Sequence, residues 1–176
     1  DMGVGELNYC YEDTELADTI VSVGANSLET QTNAYLNHWV PNMRGTTLGK
    51  KKKQLSGEDH APARMVFVDP RRTVTINSAE AEAGKENVMH LAINSGTDLA
   101  LFNAWMTYID SKGWVDKDFI KASTMDYDKM VKGNKTSLAE AAKITGLSES
   151  QISKSAEWIA CLLYTSDAAD ERSSVD

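Results

Sequence analysis

Three short apolar runs, separated by polar or helical stretches, limit most strongly what this chain can fold into. They read DTIVSVG at residues 18–24, RMVFVD at 64–69 and VMHLAI at 88–93. Each holds several apolar residues in succession, many of them β-branched, which is typical of a strand buried on both faces. Such strands belong to parallel sheets that are covered by helices. We therefore expect an α/β fold that contains part of a Rossmann-like parallel sheet, followed by short helices.

The remaining segments carry helical periodicity or helix-capping signals. Residues 28–39 place one set of side chains on a common side, namely Leu28, Thr32, Tyr35, Leu36 and Trp39, before Pro41 and Gly45 end the pattern. Residues 97–112 repeat the pattern with Leu101, Ala104, Trp105 and Tyr108. Short helices are expected over 117–122 and 127–131. Capping boxes at Ser137 and Ser148 predict two more helices, the first ending at Gly146.

Composition and charge exclude several classes of function. The 176 residues carry a formal net charge of −8, whereas a surface that binds nucleic acid needs a basic excess. No stretch of apolar residues is long enough to predict a membrane span. The two cysteines, Cys10 and Cys161, lack metal-ligand spacing, and the histidines His38, His60 and His90 form no ligand cluster.

The last residues of the chain contain a segment that does not look like part of the folded protein. Residues 161–171, CLLYTSDAADE, match the translation of one reading frame of a transposase-type sequencing adapter. We therefore expect residues 161–176 to be adapter read-through and leave them out of the fold prediction. They carry four acids and one arginine, so the rest of the chain keeps an acidic net charge of −5.

Three loops follow the predicted strands and are candidates for ligand binding. They are GANSLET at residues 24–30, DPRRT at 69–73 and SGTD at 95–98. In open α/β sheets, ligands bind at the carboxyl ends of the strands, beside helix N-termini that attract phosphate. The chain has neither a GxGxxG fingerprint nor a P-loop lysine. Asn26 and Asp98 suit helix N-caps equally well, so each loop taken alone leaves both roles open.

The three loops in this order and spacing resemble the molybdopterin oxidoreductase family. The segments that carry the resemblance are LADTIVSVGANSLETQTNAYLNHWVPN, ARMVFVDPRRT and HLAINSGTDLALFNAWMTYI. DMGVGELN at the start and the LNHWVPN segment resemble the arsenite oxidases within that family. The resemblance covers residues 1–160, which we interpret as a partial molybdopterin oxidoreductase domain and an internal fragment of a longer subunit.

The resemblance implies a role for individual residues. Cofactor binding would fall to the three loops: the first would surround dinucleotide phosphates, the second would read the nucleoside end of a cofactor, and the third would contact guanine. The residues concerned are, in that order, Gly24, Asn26, Glu29 and Thr30; Asp69 and Arg71; and Gly96 and Asp98.

Glu6 resembles a carboxylate that lines the arsenite pocket and is the expected catalytic residue. No protein ligand to the metal is expected. Ser27 and Ser95 replace prolines that the family usually has, which loosens two turns.

The function that the resemblance implies is enzymatic. The chain would be part of the catalytic subunit of an arsenite oxidase, which oxidises arsenite to arsenate at a molybdenum bis(molybdopterin guanine dinucleotide) centre and so detoxifies arsenic. An iron–sulfur cluster is expected upstream of residue 1. The implied partners are a small Rieske-type iron–sulfur subunit and a soluble electron acceptor such as a cytochrome, in the periplasm. Residues 1–160 alone are expected to be inactive.

Two alternatives stay open at this point. One is another molybdopterin oxidoreductase, of the nitrate reductase or formate dehydrogenase type, which substrate assays would distinguish. The other is a non-catalytic nucleotide-binding module of Rossmann-like shape. Such a module would bind nucleotide as an isolated piece comprising residues 1–160.

Overall fold

The computed structural model describes residues 11–15, 17–46 and 62–160. The chain divides into two compact units, Asp1–His90 and Leu91–Asp176. Glu6 and the adapter-like residues 161–176 lie outside the described residues.

A three-stranded parallel sheet supports the two predicted loops of the first unit. Its strands are β1 (Thr19–Val23), β2 (Arg64–Val68) and β3 (Val88–Leu91), in the order β1-β2-β3. β1 and β2 pair in parallel register, from Thr19 opposite Arg64 to Val23 opposite Val68. The α/β fold with a parallel sheet is thereby confirmed, and all three predicted strands are present.

The strands differ in how much of their surface they bury. Residues 65–68 of the central strand β2 are almost fully buried, as the continuous apolar run predicts. In β1 the burial alternates, because Ile20 and Ser22 are buried while Val21 and Val23 are 38% and 40% exposed. The expectation that β1 is buried on both faces is therefore wrong for the described part of the chain.

Helix α4 (Val74–Ala83) covers the sheet and was not singled out by the sequence pattern. It buries Thr75, Ile76, Ala79 and Ala83, and the small alanines let the helix approach the sheet closely. The core of the unit combines these positions with side chains from β1, β2 and the segment after β1: Ile20, Tyr35, Val40, Met43, Met65 and Phe67. A short 3₁₀ turn, Lys85–Asn87, leads from α4 into β3.

The helix predicted over 28–39 is broken and longer than expected. It consists of α1 (Ser27–Thr30), α2 (Thr32–Ala34), a π turn (Tyr35–Trp39) and α3 (Val40–Met43). The Val40 N–H donates to the Tyr35 carbonyl, the i→i+5 bond that defines a π turn. Leu36 is 48% exposed instead of facing the core with Tyr35. Pro41 lies in the first turn of α3, where proline is tolerated, and does not end the helix.

Helices make up the described part of the second unit. They are α5 (Asp98–Lys112), α6 (Lys117–Ser123), α7 (Tyr127–Gly133), α8 (Leu138–Thr145) and α9 (Glu149–Ile159). Of the two predicted capping boxes, the one formed by Ser148 with Gln151 is confirmed, whereas Ser137 caps its helix only by accepting the Glu140 N–H. Gly146 ends α8 in the left-handed conformation, as predicted. Among the described residues, no helix is long and apolar enough to cross a membrane.

A buried hydrogen bond joins two of the three helices that pack together in this unit, α5, α8 and α9. The Trp105 indole Nε1–H donates to Ser155 Oγ over 2.8 Å, and both residues are buried. Ser155 Oγ in turn donates to the Ile152 carbonyl. The bond fixes the rotation of α9 against α5, because leaving either polar atom buried without a partner would cost free energy.

We predict that the Trp105–Ser155 bond stabilises the second unit by about 1 kcal/mol, the usual contribution of a buried hydrogen bond. A double-mutant cycle of Trp105→Phe, Ser155→Ala and both changes in the complete gene product separates the bond from lost packing. Hydrogen exchange of the α5 and α9 amides gives the free energy of local opening for each variant. Strictly additive effects of the two changes would contradict the prediction.

Candidate functional site

The first predicted loop is tied to the end of its neighbouring strand. Gly24 follows β1, and its N–H donates to the Val68 carbonyl of β2 over 2.9 Å. Its φ is +61°, and an added Cβ would meet no atom within 4 Å. The backbone conformation, rather than lack of space, therefore favours glycine here.

Asn26 organises the rest of this loop. Its carbonyl oxygen accepts the N–H groups of Glu29 and Thr30, over 2.9 and 3.0 Å, and the Thr30 hydroxyl over 3.1 Å. Its side-chain Nδ2 donates to the Glu29 carboxylate. Asn26 occupies the N-cap position of α1 but its side chain makes no cap bond. The polar groups of the loop are thus largely used to hold its own shape.

The second predicted loop holds a partly satisfied carboxylate. Asp69 is buried, and its Oδ1 accepts the Arg71 N–H over 2.8 Å in a local turn. Its carbonyl oxygen accepts a hydrogen bond from His90 Nε2 over 2.8 Å, so Nε2 carries the proton and His90 has a structural role. Asp69 Oδ2 has no hydrogen-bond partner in the described part of the chain. This oxygen is available to a donor on a ligand.

The two arginines of this loop have different environments. The Arg72 side chain donates to Asn77 and Glu80 along α4, which occupies its guanidinium. The Arg71 side chain is 81% exposed, and its Nε lies 3.9 Å from Asp69 Oδ1. Arg71 is therefore the more exposed and less engaged guanidinium of the pair, and guanidinium groups bind phosphate oxygens strongly.

An open groove of about 220 Å³ brings the two loops together. Asn26 lines it on one side, and Arg71, Arg72, Thr73 and Val74 line it on the other. Thr73 is 92% buried by residue area, since only 8% is exposed, and its Oγ1 has no hydrogen-bond partner among the described residues. The Ser27 hydroxyl is likewise buried and unpaired within that part of the chain. Buried hydroxyls without partners are rare in native proteins and mark places where a ligand or water completes the hydrogen bonding.

The chemistry of this groove fits an oxygen-rich anionic ligand. It offers the exposed Arg71 guanidinium and the unpaired Thr73 hydroxyl, which suit phosphate and sugar oxygens, and the Asp69 carboxylate lies in the same loop. Sequence reasoning identified Asn26, Asp69 and Arg71 but missed Thr73. Thr73 immediately precedes α4, a helix that the sequence pattern did not predict, and its side chain makes no cap bond there.

The third predicted loop belongs to the second unit. Gly96 has a φ of +78° and forms a turn in which the Thr97 hydroxyl donates to the Asn94 carbonyl over 2.6 Å. Thr97, not Asp98, is the N-cap residue of α5, so the N-cap alternative for Asp98 is wrong. Asp98 is the first helical residue, where a carboxylate favours the positive end of the helix dipole.

A larger polar groove of about 570 Å³ lies beside the first loop. Thr30 lines this groove rather than the one that contains Arg71, together with Gln31, Thr32, Asn33, Asn37 and His38. His38 Nδ1 and Glu15 Oε1 form a hydrogen bond of 2.6 Å, and Tyr11 stacks on the His38 ring. Sequence reasoning missed this pair, because nothing in the sequence relates residues 23 positions apart. Throughout residues 11–15, 17–46 and 62–160, no group of His, Cys, Asp and Glu is arranged to hold a metal ion.

Comparisons with known proteins identify a family that the chain matches over most of its length. The family model described as molybdopterin oxidoreductase matches residues 4–168. The chain is 51% identical to arsenite oxidase subunit AioA of Herminiimonas arsenicoxydans over 90% of its length, and covers 19% of that relative. It is 30% identical to the F420-dependent formate dehydrogenase subunit alpha of Methanocaldococcus jannaschii, over 88% of the chain and 20% of the relative. It is also 30% identical to a nitrate reductase of Shewanella frigidimarina, over 82% of the chain and 13% of the relative.

The fold agrees with this family. The structure of acetylene hydratase from Pelobacter acetylenicus matches with a TM-score of 0.57 and 21% identity, over 80% of this chain and 16% of that one. The chain therefore spans about a fifth or less of the length of the relatives that it matches. The family match covers both units and every predicted loop, and the family resemblance of the sequence is confirmed. The chain belongs to the molybdopterin oxidoreductase family.

Proposed function

We propose that this chain is part of the catalytic subunit of an arsenite oxidase, which converts arsenite to arsenate with a molybdenum bis(molybdopterin guanine dinucleotide) cofactor. One observation carries the proposal: the identity to an arsenite oxidase subunit is 51% over 90% of the chain, against 30% for a formate dehydrogenase and for a nitrate reductase. These values favour arsenite over formate or nitrate as the substrate.

The residues of this chain would hold and orient the cofactor, and the molybdenum centre would supply the two-electron chemistry when bound. Arg71 would bind a phosphate, because its guanidinium is the exposed one in the groove. Thr73 would donate its unpaired hydroxyl to the same ligand. Asp69 would accept hydrogen bonds from ribose hydroxyls or a guanine edge through Oδ2. Gly96 and Asp98 would contact guanine from their turn in the second unit.

The remaining parts of the proposal concern the complete protein. Glu6 would hydrogen-bond the hydroxyls of arsenite in the pocket. An iron–sulfur cluster upstream, a Rieske-type subunit and a soluble acceptor such as a cytochrome would carry the electrons away, in the periplasm. Identity to the arsenite oxidase subunit supports these parts together, since they rest on that resemblance.

The substrate is tested by assaying the complete gene product, loaded with molybdenum, against arsenite, formate and nitrate with redox dyes. We expect turnover with arsenite alone. Glu6→Ala should lower arsenite turnover while molybdenum content stays at the wild-type value, because the carboxylate contacts substrate and not cofactor. Turnover of formate or nitrate without arsenite would refute the proposed substrate. Equal loss of molybdenum in Glu6→Ala would refute the pocket role.

Asp69→Asn tests the carboxylate of the second loop. The amide oxygen can still accept the Arg71 N–H, but the amide nitrogen replaces the acceptor that faces the ligand. We expect cofactor retention to weaken by about ten- to a hundredfold, since a hydrogen bond to a charged group contributes about 1.5–3 kcal/mol. Molybdenum and acid-released guanine nucleotide per mole of protein measure retention. Asp118→Ala, on the exposed surface of α6, is the matched control and should retain both.

Arg71→Ala tests the cationic side of the groove. Retention of molybdenum and guanine nucleotide should fall, and it should fall further at low salt than at high salt, because screening already weakens the wild-type contact at high salt. Arg44→Ala is the control in the same unit: it removes an arginine that is ion-paired with Glu82 outside the groove. Equal retention in the two variants would show that Arg71 does not contact the cofactor.

A further inference from the structure

Thr75 connects the two loops of the first unit through its hydroxyl. The residue lies in the first turn of α4 and is fully buried. Its Oγ1 accepts the Leu28 N–H over 3.0 Å and donates to Asn26 Oδ1 over 2.6 Å. Leu28 and Asn26 are 47 and 49 residues away in sequence, so these bonds join α4 directly to the loop after β1.

We propose that Thr75 is a positioning residue: its hydroxyl holds the loop at residues 24–30 in the conformation that binds the cofactor. The inference rests on the proposed function, because it assigns to that loop a ligand that must be retained. It adds a residue that the sequence pattern did not identify. It also changes the role expected of Asn26.

The geometry commits both polar atoms of the Asn26 side chain, and its carbonyl oxygen, to bonds that shape the loop. Its side-chain oxygen is taken by Thr75, and its side-chain nitrogen donates to Glu29. Its carbonyl oxygen accepts three bonds within the loop, from the Glu29 and Thr30 N–H groups and the Thr30 hydroxyl. Asn26 therefore links Thr75 to the rest of the loop through hydrogen bonds. Direct contact with the ligand falls to Arg71 and Thr73 across the groove.

A second contact holds the backbone at Thr75. The Tyr35 hydroxyl lies 3.5 Å from the Thr75 carbonyl oxygen, and Tyr35 is fully buried. Burial raises the pKa of Tyr35, so the hydroxyl stays protonated and able to donate throughout the physiological range. The π turn that contains Tyr35 and the helix that contains Thr75 thus meet at the point where the loop is fixed.

The test compares Thr75→Val with Thr75→Ser in the complete gene product. Valine keeps the shape of threonine but leaves the Leu28 N–H and Asn26 Oδ1 without a partner, whereas serine keeps the hydroxyl. Thr145→Val is the matched control, because Thr145 is a fully buried threonine whose hydroxyl donates to the Ala141 carbonyl in the second unit. Each variant is purified, and its molybdenum and guanine nucleotide contents are followed during dialysis. Hydrogen exchange over residues 24–30 is measured on protein made without the molybdenum cofactor.

We expect cofactor loss to be at least tenfold faster in Thr75→Val, and loop exchange to be faster as well. Thr75→Ser should restore both readouts to within about twofold of wild type, given that it retains the hydrogen-bonding group. Thr145→Val should leave hydrogen exchange over residues 24–30 at the wild-type rate. Wild-type retention in Thr75→Val would overturn the inference. So would failure of serine to rescue, which would assign the effect to the methyl group, or equally faster exchange over residues 24–30 in Thr145→Val.

The two proposals fail in different ways. If the wild-type protein carries no molybdenum or guanine nucleotide, the proposed function fails. Loop exchange then decides the positioning role alone, because it is measured without cofactor. Faster exchange in Thr75→Val that recovers in Thr75→Ser supports the role, and unchanged exchange in Thr75→Val overturns it.

Discussion

Parallel pairing of β1 with β2 is the constraint on which the candidate site depends. Because the strands run in the same direction and in register, they end at the same level, with Val23 opposite Val68. The Gly24 N–H continues the pairing by one residue beyond the strand. The two loops therefore leave the sheet side by side, although they lie more than 40 positions apart in sequence. Every contact across the groove follows from that alignment.

The polar groups of the two loops fall into two sets. Some form hydrogen bonds within the protein, and others are left to bind a ligand. Asn26, Thr30 and Arg72 are held in bonds within the first unit, so they fix backbone and helix positions. Arg71 and Thr73 keep unsatisfied capacity toward the groove. A preorganised site has this property, because the ordering cost is met during folding rather than on binding. The unpaired buried hydroxyl is a cost to the folded chain that a ligand would remove.

Sequence reasoning predicted the strands, the later helices and their caps, because each has a local signal. Continuous apolar runs mark buried strands, and Ser148 with Gln151 marks a helix start. It missed α4, whose buried face combines one isoleucine with threonine and alanine and lacks a strong apolar stripe. It also could not place the break at Gln31 or the π turn, which depend on packing against the core. The different environments of the Arg71 and Arg72 side chains could not be predicted either, since they arise from hydrogen bonds between Arg72 and side chains on α4. Glu6 remains a prediction from the sequence, outside the described residues.

The π turn would let this part of the chain lose one residue while the residues on either side of it keep their core contacts. An i→i+5 turn holds one more residue than an α turn, and the Val40 N–H to Tyr35 carbonyl bond closes it here. Loss of one residue from this turn would let the helix tighten to α geometry while Tyr35 and Met43 kept their places in the core. The side chains between them would turn about the axis, and His38 would leave Glu15. Evolution could thus remodel the wall of the larger groove by a single codon deletion without disturbing the sheet.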